Sequence, residues 1–474
     1  MTEAYSLGLK GKLYRLLYKL NEETHLRVST PVGVTREASR REGMSQGSVD
    51  AAVLSAGSVD GGVNSMFSDS EYEVWYGDMR LQPLCFQDDV MRAAEGVLEA
   101  QVGNMFMETV AETKLLTYNQ LKSNYMVIGT RANKKKMLKE LEENPLTLCG
   151  KKMIQASEYC YLGTWICESG VASSAALSVT KKIGKVKHLI WEIKTVVEDC
   201  KNNLPGAFCT AVRLWEGSVI PYLYSGAEGW IDIPNATVKT LSHLEELFFT
   251  SILAAPISTP KPGIYWQVGG KIPEARIMEY KINFYYHVIN LENKALAKII
   301  FKEEQKMNIP GYYKECLSIL AQLNIDENLA LTLNKHQWKS MISRKIKDFS
   351  RDTLLERSKS YKKIDYFKMR EEVFELKSYF KTMNLSQARM MFSYQVKTTR
   401  NIKYHRMNDK KFASELWLCN ENTCNNKIES IFHIATNCKK YEHLRRDKAI
   451  LENDELLVNF FIQVIQSRDE AQNE

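Results

Sequence analysis

Leu84-Cys85-Phe86-Gln87-Asp88-Asp89 is the stretch on which the reading of this chain turns. A short apolar run ends in two adjacent carboxylates. The run has the length of a strand that buries itself, and the acids fall at its tip. Paired carboxylates there can hold a divalent cation against a nucleotide's phosphates. Taken alone the pair is a weak signal, because Asp-Asp is also common on solvated turns. Its weight comes from its flanks. Pro83 stands near the start of the run, where a missing N–H is tolerable. Residues 92–115 read as a helix, Tyr125-Met126-Val127-Ile128 as a strand, and Tyr159 to Ile166 as another strand-like run.

Upstream, Leu13, Leu16, Leu17 and Leu20 recur at i, i+3, i+4, i+7 and predict a helix over 11–22. An extended piece follows at 26–33, broken by Pro31 and Gly33. The small residues Ala51, Ala52, Ser55 and Ala56 suit close approach to a bound polymer, or equally tight helix packing. Strands and helices alternate through residue 166, which implies an α/β or α+β layer.

Beyond it the chain turns helical. Val179, Ile183, Val186, Ile190, Ile193 and Val197 make one apolar stripe. Lys181, Lys182, Lys185, Lys187 and Lys194 lie off that stripe, as a solvated face or, in the sharper reading, a nucleic-acid face. Pro256, Pro260, Pro262 and Gly263 mark a boundary, and 280–411 is mostly helical by composition. Residues 335–411 hold 21 Lys and Arg against 8 Asp and Glu, a balance of +13 within a whole-chain +7. Such asymmetry suits a polyanion, although solvated helix faces give the same counts. Trp338, Tyr361, Tyr366, Phe367 and Tyr379 interleave with these charges, a pattern that stacks bases or packs a core.

At 474 residues and 44% apolar the chain has material for two to four domains. No run of about 18 apolar residues predicts a membrane span. The N-terminus lacks a basic start and an apolar stretch, so the expectation is an intracellular protein, nuclear or cytoplasmic. No Walker-type phosphate loop and no Ser/His/Asp arrangement is evident. Of 10 cysteines only the last three cluster. With a histidine they read C-x4-C-x8-H-x4-C over Cys419, Cys424, His433 and Cys438. Three thiols and an imidazole at such spacings suit tetrahedral zinc, against the plainer reading of unrelated cysteines and a core histidine.

Taken in order, the motifs resemble the reverse transcriptase of non-LTR, LINE-type retrotransposons. Residues 27–33 resemble the extended piece before that family's Gln-Gly motif, and Gln46-Gly47 the Gln-Gly itself. Phe86-Gln87-Asp88-Asp89 resembles its Phe/Tyr-x-Asp-Asp box. Lys122, ahead of 125–127, resembles a lysine lying near the nucleotide phosphates, and Tyr161-Leu162-Gly163 the primer-grip turn. Residues 214–221 and 224–230 resemble the segment after the thumb helix, and the surroundings of His433 and Cys438 resemble the family's zinc-knuckle context.

The resemblance implies an α+β fold: a partial polymerase palm at 1–171, a thumb-like region at 172–300, a basic helical connector at 301–411 and a CCHC module at 412–474. It implies Mg²⁺-dependent transfer of deoxynucleotides to a DNA primer on an RNA template, with Asp88, Asp89 and Lys122 catalytic and Asp88 and Asp89 holding the cations. Gln46, Gly47, Tyr161, Leu162 and Gly163 would contact nucleic acid or nucleotide. Two departures stand out. The family's other metal-binding aspartate, on a strand before the 11–22 helix, has no counterpart, and Ser48-Val49-Asp50 replaces a Pro-containing segment. The expectation is therefore a polymerase fragment impaired as an isolated chain. The alternative is a catalytically dead nucleic-acid-binding protein using the connector and the zinc module.

Overall fold

The computed structural model describes residues 10–22, 24–27, 29–40, 74–81, 83–86, 89–114, 116–199, 204–256, 259–361, 374–396, 431–445 and 456–464, and the single positions Tyr5, Val63, Cys419 and Cys424. Gln46, Gly47, Gln87, Asp88, Tyr366 and Phe367 lie outside the described residues. The fold is mixed α+β and mostly helical, and its sheets are small and two-stranded. The chain forms two compact units. The first holds Met1–Glu158 with Ile299–Asn308, the second Tyr159–Lys298 with Ile309–Glu474.

The first unit begins with α1 (Gly11–Glu22). A β-ribbon follows: β1 (Thr24–Leu26) pairs antiparallel with β4 (Ala38–Arg40), and β2 (Ser29–Thr30) with β3 (Gly33–Val34). Residues 29–37 are exposed throughout. Arg27 and His25 on one arm both meet Glu37 on the other, the imidazole at 3.2 Å. β5 (Val74–Tyr76) and β6 (Met79–Leu81) form the next hairpin. Its turn residue Gly77 has φ +61, and a Cβ there would fall 2.7 Å from the Glu303 carboxylate, which accepts the Asp78 N–H.

β7 (Leu84–Phe86) pairs antiparallel with β8 (Asp89–Met91) in the register Leu84↔Met91, Cys85↔Val90, Phe86↔Asp89. Helix α2 (Val97–Lys114) covers one face of this hairpin. Val63, Met107 and Val110 are buried, and Cys85, Val90, Phe106 and Tyr118 pack on them. β9 (Asn124–Tyr125), α3 (Arg131–Glu143), β10 (Thr147–Leu148), β11 (Lys151–Lys152) and β12 (Ile154–Gln155) complete the unit. β12 runs parallel to β9, the one parallel pair described. The expected strand over 125–128 is thus shorter: Met126–Ile128 join no ladder, and Val127 instead enters a core with Val97, Leu141 and Leu146.

The run 159–166 is not one strand but a hairpin of β13 (Glu158–Tyr161) and β14 (Thr164–Cys167). Leu162 at φ 48 and Gly163 at φ 78 make its two-residue turn. Left-handed backbone at both central residues is what the twist of flanking strands favours. The long helix α4 (Val171–Asp199) then packs on β14. Ser178 and Ser174, one turn apart, accept the backbone N–H groups of Trp165 and Cys167 at 3.2 and 3.0 Å. The expected stripe is largely buried, at Val179, Val186, Ile190, Ile193 and Val197. Lys182 overturns its expectation. It is 4% exposed, and its Nζ donates to the Ser225 carbonyl at 2.9 Å.

α5 (Ala207–Leu214) runs through a π-helical turn at Trp215–Val219 into α6 (Ile220–Leu223). Pro221 has no N–H for the Gly217 carbonyl, and its ring would crowd that carbonyl in a regular α-turn. The wider turn relieves both. α7 (Asn235–Ile252), α8 (Lys261–Val268) and α9 (Pro273–Ile289) build the core, with Trp215 stacked on Phe248 at 4.3 Å. Fully buried Glu245 accepts from the hydroxyls of Tyr224 and Tyr265, and Arg276 pairs with both Glu245 and Glu216. α10 (Leu296–Met307), α11 (Tyr312–Gln322), α12 (Leu329–Thr332) and α13 (Lys335–Ser358) follow.

Residues 374–396 return to the middle of the second unit. Phe380, from α14 (Tyr379–Thr382), stacks on Phe208 at 4.1 Å, and Lys377 N–H donates to the Gln267 carbonyl. α15 (Leu385–Gln395) carries α16 (Ile431–Thr436) and, through Tyr394 and Phe461, the helical residues 456–464. Trp338 is buried against Tyr286, and Tyr379 is buried with its hydroxyl on Gln267. These two aromatics are core, not stacking platforms. Only Tyr361 of the interleaved set is exposed among the described residues.

Candidate functional site

The hairpin β7–β8 fixes the orientation of Asp89. Alternation along each strand sends Cys85 and Val90 inward, onto α2. The neighbouring pair faces out: Phe86 is 52% exposed and Asp89 is exposed beside it. The exit of β8 is fastened by Arg92, whose Nη2 donates to the Ala100 carbonyl at 2.6 Å and whose Nη1 donates to the Glu99 carbonyl at 3.3 Å. Gly103 makes room for this, since a Cβ there would lie 2.1 Å from the guanidinium. Beneath the hairpin, Tyr118 donates to the Met107 carbonyl at 3.1 Å, and burial pushes its hydroxyl up to about 12.

Lys122 belongs to the same unit and is exposed on the turn after Asn119, whose carbonyl accepts its backbone N–H. Among the described residues no ion pair joins it to Asp89. Nor does Asp89 belong to any described group of three or more metal-ligating side chains. A hard cation such as Mg²⁺ favours oxygen ligands, and Asp89 is suitable in kind; the described residues supply too few of them. Tyr161, Leu162 and Gly163 sit at the tip of the β13–β14 hairpin, with Leu162 50% exposed.

One surface in the second unit combines cations with rings. Lys181 lies over the Trp165 ring at 4.7 Å, and Lys185 over Tyr222 at 4.8 Å. His188 stacks on Trp191 at 6.0 Å and pairs with Glu192 at 3.2 Å. Trp191 is 61% exposed. Lys181, Lys185 and His188 are four and three residues apart, so they share one exposed stripe of α4, in line with Ser174 and Ser178 along the edge of its buried face. Lys187 is exposed beside them. The sequence marked the lysines; the rings beneath them come from β14 and α6, and no local pattern points to those.

Cys419, Cys424, His433 and Cys438 converge. Their ligand atoms lie within 4.8 Å of one another, and all four residues are buried. Cys438 Sγ is 3.6 Å from Cys419 Sγ and 4.0 Å from Cys424 Sγ. These separations are too long for a disulfide. They match the edge of a tetrahedron with metal–sulfur bonds of 2.3 Å, about 3.8 Å. Helix α16 presents His433, and the chain turns so that the Cys438 N–H donates to the His433 carbonyl at 2.9 Å. Burial pushes the Cys438 thiol up, and a bound cation would reverse that. The donor set and spacing fit a closed, four-coordinate metal ion such as zinc. The module also has apolar support that its Asn- and Lys-rich sequence conceals. Ile434, Ala435, Tyr441, Val458, Phe460 and Phe461 are buried.

No family model matches this chain, and a search of curated proteins finds no match to it. No described helix is long and apolar enough to cross a membrane.

Proposed function

We propose that the chain is part of an RNA-directed DNA polymerase of the reverse-transcriptase type, acting on an RNA template and a DNA primer. The observation that supports this best is the β7–β8 hairpin, packed by one face and presenting Asp89 on the other, directly after Asp88. Mg²⁺ bound there would supply charge stabilisation to the attacking and leaving oxygens. The chain's own parts divide the remaining work. Asp88 and Asp89 hold the cation. Lys122 neutralises phosphate. The Tyr161-Leu162-Gly163 turn supports the primer end, and the lysine–aromatic stripe of α4 tracks the backbone and stacks bases. In the Cys3His module zinc is structural, since all four ligand positions are protein.

A second reading is favoured by the α4 stripe and the Cys3His group, neither of which needs a catalytic cation. In that reading the chain holds nucleic acid without extending it. Primer extension with Mg²⁺ separates the two. The polymerase reading expects incorporation that Asp88→Ala and Asp89→Asn each abolish. Salt-sensitive binding with no incorporation leaves the second reading, and absence of binding removes both.

A further inference from the structure

Three thiolates around a divalent cation, with a neutral imidazole, leave the Cys3His site with one net negative charge. The four ligand residues are between 0% and 6% exposed. Net charge at that depth is costly unless a cation or strong donors offset it. Groups just outside the ligand sphere can supply that offset and tune the metal.

One cation is fastened there. The guanidinium of Arg445 donates through Nη1 to the Ile434 carbonyl and through Nη2 to the Cys438 carbonyl. The second acceptor belongs to a ligand residue, and the first to the neighbour of His433. Among the described residues, the other basic groups nearby in sequence are turned to solvent. Lys439, Lys440 and His443 are exposed, and Lys440 Nζ sits 5.8 Å from the centre of the Tyr441 ring.

We infer that Arg445 is the charge-compensating positioning residue of the metal centre: its guanidinium, anchored on the carbonyls of Ile434 and Cys438, sets the affinity of the Cys3His group for its divalent cation. The inference rests on the metal-binding reading of those four ligands. A simpler role competes with it. α16 ends at Thr436, its last carbonyls lack helical partners, and any hydrogen-bond donor would serve as a cap. Capping needs donors, whereas compensation needs a full positive charge. The two roles therefore respond differently to substitution. Arg445→Gln keeps an amide donor and removes the charge. Arg445→Lys keeps the charge and loses the planar fork.

The test uses the full-length chain with Co²⁺ as the probe and Zn²⁺ as competitor. The wild-type chain is expected to bind one equivalent with a thiolate-to-cobalt absorption band, and Cys419→Ser to lose it. Arg445→Gln is expected to weaken Co²⁺ and Zn²⁺ binding about 10–100-fold, the usual effect of an outer-shell partner. Its charge-transfer band should move to longer wavelength, because removing a nearby cation raises the thiolate donor level. Arg445→Lys is expected to stay close to wild type in both readouts. Wild-type affinity and an unmoved band in Arg445→Gln overturn the inference, as does an Arg445→Lys chain as weak as Arg445→Gln. Should Arg445→Gln fail to fold, the Arg445→Lys result decides by itself. A wild-type chain that binds no Co²⁺, or a Cys419→Ser chain that binds it unchanged, removes the metal reading and this inference with it. Failure confined to the Arg445 variants leaves the metal reading standing.

Discussion

Leu162 illustrates how a single residue can be poorly suited to its backbone and still well placed. A left-handed conformation costs a side chain with a β-carbon roughly 1–2 kcal/mol, and asparagine tolerates it far better. Leu162→Asn is therefore expected to stabilise the protein by about 1 kcal/mol in denaturant unfolding. If the turn contacts a primer, the same variant loses function while gaining stability. Tyr118 gives a prediction of different kind. Burial raises its hydroxyl to about 12, against an ordinary value near 10. In the native state the proton is held above pH 10, whereas the unfolded chain has released it. The stabilisation is thus complete below pH 10 and is lost as pH rises through 12. Tyr118→Phe is expected to flatten the alkaline fall in stability over that window. Tyr285 is raised to the same level in the other unit and serves as the internal control.

Helix α4 divides its labour by face. Its inner face buries Lys182 against the Ser225 carbonyl, and Ser174 and Ser178 at the edge of that face bind β14. Its outer face carries Lys181, Lys185, His188 and Trp191. If that face holds nucleic acid, each lysine replaced by glutamine should lower the slope of log affinity against log salt by about 0.7–0.9. Trp191→Ala should weaken single-strand binding by about 1–3 kcal/mol with little change in slope. Equal slopes in wild type and the Lys181→Gln, Lys185→Gln double variant would count against the face. The end of α8 shows a stricter local demand. Gly269 has φ +66, and a Cβ there would lie 2.5 Å from the backbone of Glu375. Gly269→Ala is expected to destabilise by at least about 1–3 kcal/mol, from backbone strain alone, and to loosen the 374–383 segment in hydrogen exchange.

At the scale of the molecule, metal removal should act on one region. Chelation is expected to cost residues 431–445 and 456–464 their hydrogen-exchange protection, because ligand binding and folding of such a module are one process. The protection of α4, α7 and α9 should survive. What the sequence revealed follows from how local each signal is. The Cys3His set was legible because its four members lie within 20 residues, from Cys419 to Cys438. The β7–β8 hairpin was half legible: the strand was plain, while the face it buries depended on Val63 and Met107. The turn at Leu162 was named only through the resemblance, because leucine carries no turn signal and the residue pattern alone read two strands as one. Lys182 was misjudged, and Tyr379 left open between stacking and core, for a common reason. Their partners, Ser225 and Gln267, are far away in the chain, and periodicity cannot see them. The ribbon of residues 24–40 has a further consequence. Among the described residues its strands pair only with each other, Val32 at its tip is 97% exposed, and Arg27 and Arg36 stand on its open arms. Unpaired strand edges invite other extended chains, including a protease's grip on its substrate. Brief trypsin treatment should nick the chain at Arg36 before it cuts within α4, α7 or α9, and the cut would sever α1 from the hairpin bearing Asp89.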